Sequence, residues 1–481
     1  MSTTHVRIRF APSPTGLMHL GNVRAALLNY LFAKQKNGTF VLRIEDTDPE
    51  RNFDPGAKQI ISDLHWLGLT YQEGPEVGGP FAPYFQSERV AIYKKALDEL
   101  IEKKQVYRCF CTTQELEEKR KRQIALRRAP RYDGTCLNRS EEDVQKLLEQ
   151  NKPFIWRMKL DHDKAITIQD IAHGDIKFEF KNFSDFPLTR QNGTYTFMFA
   201  NFVDDMVMEI THVLRGEDHL TNTAGQAALY EEFEKKLPIF WHLPILCNID
   251  GKKLSKRDFG FSLKDLKKAG YLPEAICNYL AILGASFEQE IMSLDELVKV
   301  MNLDESHAKG QIKYDVEKLN WINHKWIARY DIKKLAQLCR PYLEDAFPEA
   351  KNIKPEILEK LVHGVQTDLV TLNNVTTALQ FYFEPPNVTA EIAMTSLDKD
   401  EAKQTSQIIA QHLDELSDPE QFLTNVKADA KKNGISLKTV FSFVRLALTG
   451  ATKGPGVKDL IEMLGTEETK NRLNQLIGVT N

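Results

Sequence analysis

Val6-Arg7-Ile8-Arg9-Phe10 alternates as a half-buried strand must, and together with the turn and helix after it this segment constrains the fold more than any other stretch of the chain. Pro12 and Pro14 break the strand, and Thr15-Gly16 turns the chain. A helix is predicted from about Leu20, with Val23, Leu27, Tyr30 and Leu31 on one face, and Asn37-Gly38 closes it. Thr39 to Ile44 reads as a second strand, with Glu45-Asp46-Thr47-Asp48 just past its end. Strand, helix, strand is the opening of a parallel α/β sheet, because parallel neighbours need a crossover between them. Ligands of such sheets sit beyond the C-terminal ends of the strands, so Arg9 and Glu45 are predicted to face one crevice.

The 481 residues exceed what one core holds, so two to four domains are expected. Residues 89–192 change character, from a long charged helical stretch to short mixed strands, and read as an α+β insertion because α/β character returns over Tyr195 to Leu214. After about Pro273 the spacing turns helical: Leu335, Leu338, Cys339 and Tyr342 form one face, and Leu358, Leu361, Val362, Val365, Leu369 and Leu372 another. The expected architecture is a Rossmann-like α/β catalytic domain in two pieces, 1–88 and 193–245, around the insertion at 89–192. A segment at 246–330 and an all-α region at 331–481 complete the chain.

No 18 apolar residues run together, and Arg7 and Arg9 interrupt the N-terminal apolar alternation, so neither a membrane span nor a signal peptide is expected. Six unevenly placed cysteines do not read as a disulfide framework, and the expected compartment is the cytoplasm. A net charge of −4 does not exclude a nucleic-acid partner, since basic residues cluster at Lys119-Arg120-Lys121-Arg122, Arg127-Arg128, Arg131, Lys252-Lys253 and Lys256-Arg257. Taken singly, each cluster is better read as a solvated face.

Two short motifs carry chemistry. Pro12-Ser13-Pro14-Thr15-Gly16-Leu17-Met18-His19-Leu20-Gly21-Asn22 lies between the first strand and its helix, where free backbone N–H groups suit a phosphate. Gly21 would admit a flat base or ribose, and His19 can donate to a phosphate oxygen. Lys253-Leu254-Ser255-Lys256-Arg257 comes after the turn Asp250-Gly251, where two cations around a hydroxyl could hold a pyrophosphate leaving group. Alone, the first is compatible with an ordinary loop and the second with an exposed basic turn.

Together, in this order, the two motifs resemble the paired signatures of class I aminoacyl-tRNA synthetases. Arg9 to Gly16, Leu42 to Asp48, Val203-Asp204-Asp205, Ile210 to Asp218 and Gly251 to Arg257 are similar to the glutamyl and glutaminyl branch. Gly270 to Ala275, Lys318 to Asn323, Arg445 to Gly450 and Gly454-Pro455 extend the likeness to the bacterial glutamyl-tRNA synthetase family. The resemblance runs from about Arg7 to Gly465 and thins between about 340 and 430. It implies an acceptor-stem-binding role for 89–192, a stem contact for 246–330 and anticodon binding for 331–481.

The implied reaction is ATP-dependent ligation of L-glutamate to tRNA(Glu), with tRNA(Gln) open as a second acceptor and a monomer as the working unit. The resemblance puts ATP and Mg2+ against Pro12, Thr15, Gly16, His19, Gly21, Asn22, Lys253, Ser255 and Lys256, with His19 and Lys256 catalytic. It puts glutamate against Arg9, Ala11, Ser13, Glu45, Phe197, Asn201 and Arg215. Arg9 and Arg215 can each fork onto a carboxylate, and Glu45 can meet the ammonium. A salt bridge from Arg215 to Glu217 or Asp218 is the alternative for that residue. Phe197 departs from the family, which commonly has tyrosine there; nearby Tyr195 could supply the hydroxyl if the segment is extended.

Cys109-Phe110-Cys111 with Cys136 is similar to the zinc-binding insertion of some relatives. Three thiols favour Zn2+, but a structural site takes four ligands. Asn138 stands where relatives place the fourth and is a poor donor; Tyr132 is another candidate, and three metal-free thiols are the alternative. Beside the main reading stand a glutaminyl-tRNA synthetase, whose anticodon half is usually a β-barrel, and an inactive tRNA-binding homologue.

Overall fold

The structure is a computed structural model that describes residues 5–48, 52–54, 56–255, 257–284, 287–301 and 310–480. Lys256, assigned above to ATP and catalysis, lies outside the described residues. The chain divides into two units, one of Met1–Asp265 with Cys277–Val316 and one of Leu266–Ile276 with Glu317–Asn481.

In the first unit the strands are β1 (Arg7–Phe10), β2 (Thr39–Leu42), β3 (Val106–Cys109), β4 (Ile155–Met158), β5 (Ala165–Asp170), β6 (Gly174–Glu179), β7 (His212–Gly216) and β8 (Ile239–Leu243), with a short parallel pair, Leu246–Cys247 and Ile312–Lys313, besides. Six form one sheet in the order β2-β1-β7-β8-β5-β6, and β3 pairs with β4 apart from it. β1 runs parallel to β2, from Arg7 opposite Thr39 to Phe10 opposite Leu42, and parallel to β7 on its other edge. Chain order reverses there, so a crevice opens beyond the C-terminal ends of β1 and β7. The helix Leu20–Gln35 crosses from β1 to β2 and is buried on most sides, including Leu20, Val23, Ala26, Leu27 and Leu31.

Three local expectations need correction. The second strand ends at Leu42 rather than Ile44, because β1 itself ends at Phe10, whose carbonyl takes the last rung from Arg43 N–H, and Ile44 N–H bonds the Tyr84 carbonyl instead. The hairpin β5–β6 lies within 89–192, yet it extends the central sheet through Asp170 opposite Phe240 of β8. Phe197–Val207 is a helix, with Thr196 as its N-cap, so Tyr195 and Phe197 are not alternate positions of one strand. Phe199, Phe202 and Val203 of that helix are fully buried, each contributing about 1.5–3 kcal/mol, and this anchors the polar residues it also carries.

The second unit is helical, with no strand among its described residues. On the helix Ile332–Ala346 the buried set is Leu335, Ala336, Cys339 and Leu343, which turns Leu338 outward. The helix Pro355–Val365 stops before Leu369 and Leu372: the Gln366 backbone N–H tightens to the His363 carbonyl while its side-chain Nε2 donates to the Ile327 and Tyr330 carbonyls, and both leucines are buried after the turn. Gly450 ends the helix Leu437–Thr449 at φ 76°, a left-handed conformation in which glycine carries no Cβ penalty. No described helix of the chain is long and apolar enough to cross a membrane.

Candidate active site

The helix Phe197–Val207 presents Asp204 and Asp205 to an otherwise apolar interior, and an unpaired buried carboxylate there would cost several kcal/mol. Each is paired. Asp205 receives Arg9 Nε at 2.9 Å, Arg9 Nη2 at 3.1 Å and Arg43 Nη1 at 2.7 Å. Asp204 receives Arg89 Nε at 2.6 Å, Gln86 Nε2 at 2.8 Å and the Tyr93 hydroxyl at 2.9 Å. Burial pushes the Asp205 carboxyl up, but Arg9 and Arg43 outweigh it and hold the group below the usual carboxylate range.

From Arg43 the network runs on to Glu45, Asn201, Gln226 and Arg215. Arg43 Nη2 donates to Glu45 Oε1 at 3.2 Å, and Asn201 Nδ2 to the same oxygen at 2.5 Å. Gln226 Nε2 donates to Asn201 Oδ1 at 2.7 Å, while Gln226 Oε1 accepts from Arg215 Nη2 at 2.6 Å. Burial raises Glu45 above its ordinary value against the opposing charge of Arg43. Arg9, Arg43, Asn201, Glu45 and Arg215 are therefore one buried assembly at the ends of β1, β2 and β7. Arg9 has its Nε and Nη2 committed to Asp205, and its Nη1 makes only a 3.4 Å bond to the Leu214 carbonyl.

Arg215 differs from the other arginines of this assembly. Its Nη2 meets only neutral acceptors, Gln226 Oε1 and, at 2.8 Å, Thr223 Oγ1. Its Nε and Nη1 are buried with no hydrogen-bond partner. Neither Glu217 nor Asp218 pairs with it: Glu217 Oε1 accepts from the Ile245 N–H, and Asp218 lies 3.6 Å from Lys253 Nζ. The salt-bridge alternative is thereby set aside. Burial, then the like charge of Arg9, pulls Arg215 down to about 10. Among groups in direct contact, four guanidinium groups (Arg9, Arg43, Arg89, Arg215) face three carboxylates (Glu45, Asp204, Asp205), so the positive charge of Arg215 has no carboxylate against it.

Phe197 closes this side, its ring 5.3 Å from that of His219. Burial, then the Arg215 charge, drops His219 to about 4, so it adds no second cation at neutral pH. Tyr195 does not replace the missing hydroxyl, because its ring packs in the core against Tyr93 and Phe199. Ala11 is half-buried and Ser13 exposed in the turn that leaves β1.

A second group of candidate residues gathers around the start of Leu20–Gln35. His19 is its N-cap: Nδ1 accepts from Asn22 N–H at 3.2 Å, and Asn22 Oδ1 accepts from His19 N–H at 3.3 Å. Burial, then Lys253, lowers His19, so the ring is neutral. With Nδ1 accepting, the proton sits on Nε2, a donor for a phosphate oxygen. Gly21 is required by this cap as much as by any ligand, since an added Cβ would stand 3.0 Å from the His19 ring. Leu20 N–H bonds the Phe261 carbonyl and Leu263 N–H the Met18 carbonyl, which draws the basic loop alongside His19. In that loop Ser255 donates its N–H and hydroxyl to Asp258 Oδ2, each at 2.8 Å, and Lys253 is exposed. Pro12 bonds Glu45 N–H through its carbonyl, joining the two halves of the site, and Thr15 and Gly16 are exposed in the turn.

Comparison with known proteins agrees with this geometry. Residues 5–321 match the family described as tRNA synthetases class I (E and Q), catalytic domain, and residues 334–477 match an anticodon binding domain. The chain is 39% identical to the glutamate–tRNA ligase of Carboxydothermus hydrogenoformans, over 98% of this chain and 99% of that one. The chain belongs to the glutamyl-tRNA synthetase family. It is 36% identical to the Bacillus subtilis glutamate–tRNA ligase over the same shares. The crystal structure of glutamate–tRNA synthetase from Elizabethkingia anophelis superposes with a TM-score of 0.87 at 34% identity, covering 98% of this chain and 100% of that one.

For a glutamyl-tRNA synthetase, sequence reasoning singled out the ends of the network and missed its middle: Arg43, Asp205, Gln226 and Thr223. A signal was available, since two adjacent aspartates in the apolar run Phe197–Val207 demand buried cations. Asp258, which organises the loop of Ser255, had no such signal.

Away from this site, Cys109, Cys111 and Cys136 are buried, their sulfurs within 4.8 Å of one another. The Tyr132 hydroxyl lies 3.3 Å from Cys109 Sγ, whereas Asn138 is exposed. Burial pushes the Cys111 thiol up to about 12; burial acts likewise on Cys136, but hydrogen bonds from Arg139, the Phe110 backbone, Tyr132 and Cys111 together outweigh it and bring that thiol to about 7. The helix Thr113–Ala125, which carries Lys119 to Arg122, buries no residue, and Lys119 is tied to Asp133 at 2.9 Å.

Proposed function

We propose that this chain joins L-glutamate to the 3′-terminal adenosine of tRNA(Glu) through a glutamyl-adenylate, releasing pyrophosphate and then AMP. Arg215 carries the amino-acid side of this reading: two buried, unpartnered N–H-bearing nitrogens and a positive charge with no carboxylate against it suit a ligand of net charge −1. Glutamate has that charge and glutamine has none. Glu45, fixed by Arg43 and Asn201, holds the α-ammonium. Arg9 Nη1 lines the same space, and Ala11, Ser13 and Phe197 form its walls.

ATP lies over the N-terminus of Leu20–Gln35, with Pro12, Thr15, Gly16, Gly21 and Asn22 shaping its seat. It enters as the Mg2+ complex, so the ion arrives with the substrate. The glutamate α-carboxylate attacks the α-phosphorus in line and pyrophosphate leaves; the 2′-hydroxyl of the terminal adenosine then attacks the activated carbonyl in the class I manner. His19 donates its Nε2 proton to a phosphate oxygen, while Lys253, Ser255 and Lys256 meet the leaving charge. We assign the acceptor stem to 89–192, a further stem contact to 246–330 and the anticodon to 331–481. We take a monomer as the working unit, as in the family this chain resembles, and a tRNA substrate puts the work in the cytoplasm.

The test is charging with labelled glutamate. tRNA(Glu) is expected to accept it, and acceptance by tRNA(Gln) as well would extend the RNA substrate. Charging with glutamine and not glutamate would overturn the reading. The glutaminyl alternative is not favoured, given the helical second unit and the glutamate–tRNA ligases among the full-length relatives.

We also propose that Cys109, Cys111, Cys136 and Tyr132 hold Zn2+. Three clustered thiols and one phenol make up four donors, and the ion would tie β3 to the loop beyond it. Metal analysis of the purified protein is expected to give about one zinc per chain, lost in Cys111→Ser. A metal-free native protein with all three thiols unbound would contradict this.

A further inference from the structure

Arg215 needs a fixed direction without a partner that uses up its charge, and the groups behind it meet that need. Thr223 Oγ1, fully buried, accepts from Arg215 Nη2 at 2.8 Å and lies 2.9 Å from His242 Nε2. His242, also fully buried, has its Nδ1 2.6 Å from Asp170 Oδ2, and its backbone N–H donates to the same oxygen at 3.1 Å. The other Asp170 oxygen takes the N–H groups of Ala172 and His173 at 2.9 and 3.0 Å, and His173 Nδ1 at 2.8 Å.

Proton positions along this line are set by chemistry. Burial pushes the Asp170 carboxyl up, but its bonds from His242 and His173 outweigh that and keep it ionised. An ionised Asp170 only accepts, so His242 carries its proton on Nδ1. Burial lowers His242 and the Arg215 charge adds to this, so the ring is neutral and Nε2 has only a lone pair. Thr223 Oγ1 has two acceptors in reach, the His219 carbonyl at 3.3 Å and His242 Nε2 at 2.9 Å; the nearer one, whose lone pair would otherwise face an oxygen lone pair, takes the proton, and the Thr223 lone pairs face Arg215. The line is polarised from end to end, with an anion at its root and a neutral acceptor at its tip.

The contrast with Arg9 shows what this achieves. Asp205 grips Arg9 directly and occupies two of its nitrogens. Asp170 instead acts on Arg215 through two neutral groups, all on the Nη2 side, so Nε and Nη1 keep their protons for a ligand.

We propose that Asp170, His242 and Thr223 are positioning residues that hold Arg215 for the substrate's carboxylate and so set the preference for glutamate over glutamine. This rests on the assignment of Arg215 to glutamate. It also gives the β5–β6 hairpin, which supplies Asp170 to the edge of β8, a part in amino-acid selection.

Four variants test it in ATP–pyrophosphate exchange: Thr223→Val, Thr223→Ser, Asp170→Asn and Arg215→Ala. Thr223→Val keeps the shape and removes the hydroxyl; it is expected to raise the glutamate KM about tenfold and narrow the glutamate-to-glutamine preference. Its KM for ATP should stay unchanged, which also reports an intact fold. Thr223→Ser restores the hydroxyl and should lie within about twofold of the parent, and Asp170→Asn should raise the glutamate KM by about threefold. Combined with Arg215→Ala, Thr223→Val should add nothing. A Thr223→Val effect that persists without Arg215, or a normal glutamate KM in Thr223→Val when Arg215→Ala raises it, would overturn the relay alone. An unchanged glutamate KM in Arg215→Ala would instead overturn the assignment on which the relay rests.

Discussion

Arg215→Ala is expected to raise the KM for glutamate by about 100-fold or more and leave the KM for ATP where it was, because two charge-assisted hydrogen bonds of about 1.5–3 kcal/mol each are lost. In the free protein Arg215 is a buried cation with two unmet nitrogens, a strained arrangement that only an anion completes. Its removal therefore lowers affinity for glutamate without lowering thermal stability, and the midpoint of unfolding should hold or rise. Arg215→Lys should recover little, since an ammonium cannot fork onto a carboxylate from the same place. Exchange kinetics at varied glutamate, with a thermal melt of the same sample, check both halves. A glutamate KM within about twofold of the parent would mean that the charge of Arg215 serves another ligand.

His19 should show the opposite division, a loss in the rate of adenylate formation with glutamate affinity intact. The residue does two jobs that substitutions can separate. As N-cap of Leu20–Gln35 its Nδ1 accepts from Asn22 N–H, and as a neutral ring it offers Nε2–H to phosphate. His19→Asn keeps a good cap and lacks the distal donor, whereas His19→Ala loses both. Each is expected to slow activation about 10²–10³-fold, the usual effect of removing one fixed donor to developing charge. Only His19→Ala should also destabilise the protein, by about 1 kcal/mol. Single-turnover adenylate formation and urea unfolding separate the two roles. Near-normal activation in His19→Asn would take His19 out of the chemistry and leave it a cap.

The parts of this protein that showed in its sequence are those governed by local pattern. Alternation over Val6–Phe10, the Pro and Gly turn after it and helical spacing from Leu20 led to a parallel α/β opening, because each is a short-range rule. Arg9 and Glu45 were legible as crevice residues for the same reason, since both lie at or just past strand ends, whereas Arg215 was singled out only by the likeness to the synthetase family. What joins them was not legible: Asp205 lies 196 residues from Arg9, and Thr223 and Gln226, though only 8 and 11 residues past Arg215, sit on a helix whose face toward it only the folded chain sets. Tyr195 illustrates a failure of period: a strand reading would aim it at the site, but the helix that starts at Phe197 sends it into the core. Likewise Leu369 and Leu372 continue the spacing of Leu358 to Val365, but burial alone cannot distinguish a helix from the turn after it.

The most direct test of the central claim is ATP–pyrophosphate exchange with glutamate or glutamine, each with and without tRNA(Glu). Exchange with glutamate and not glutamine, lost in Arg215→Ala, is the predicted result. Exchange that prefers glutamine, or none with either amino acid in the presence of tRNA(Glu), would contradict the account.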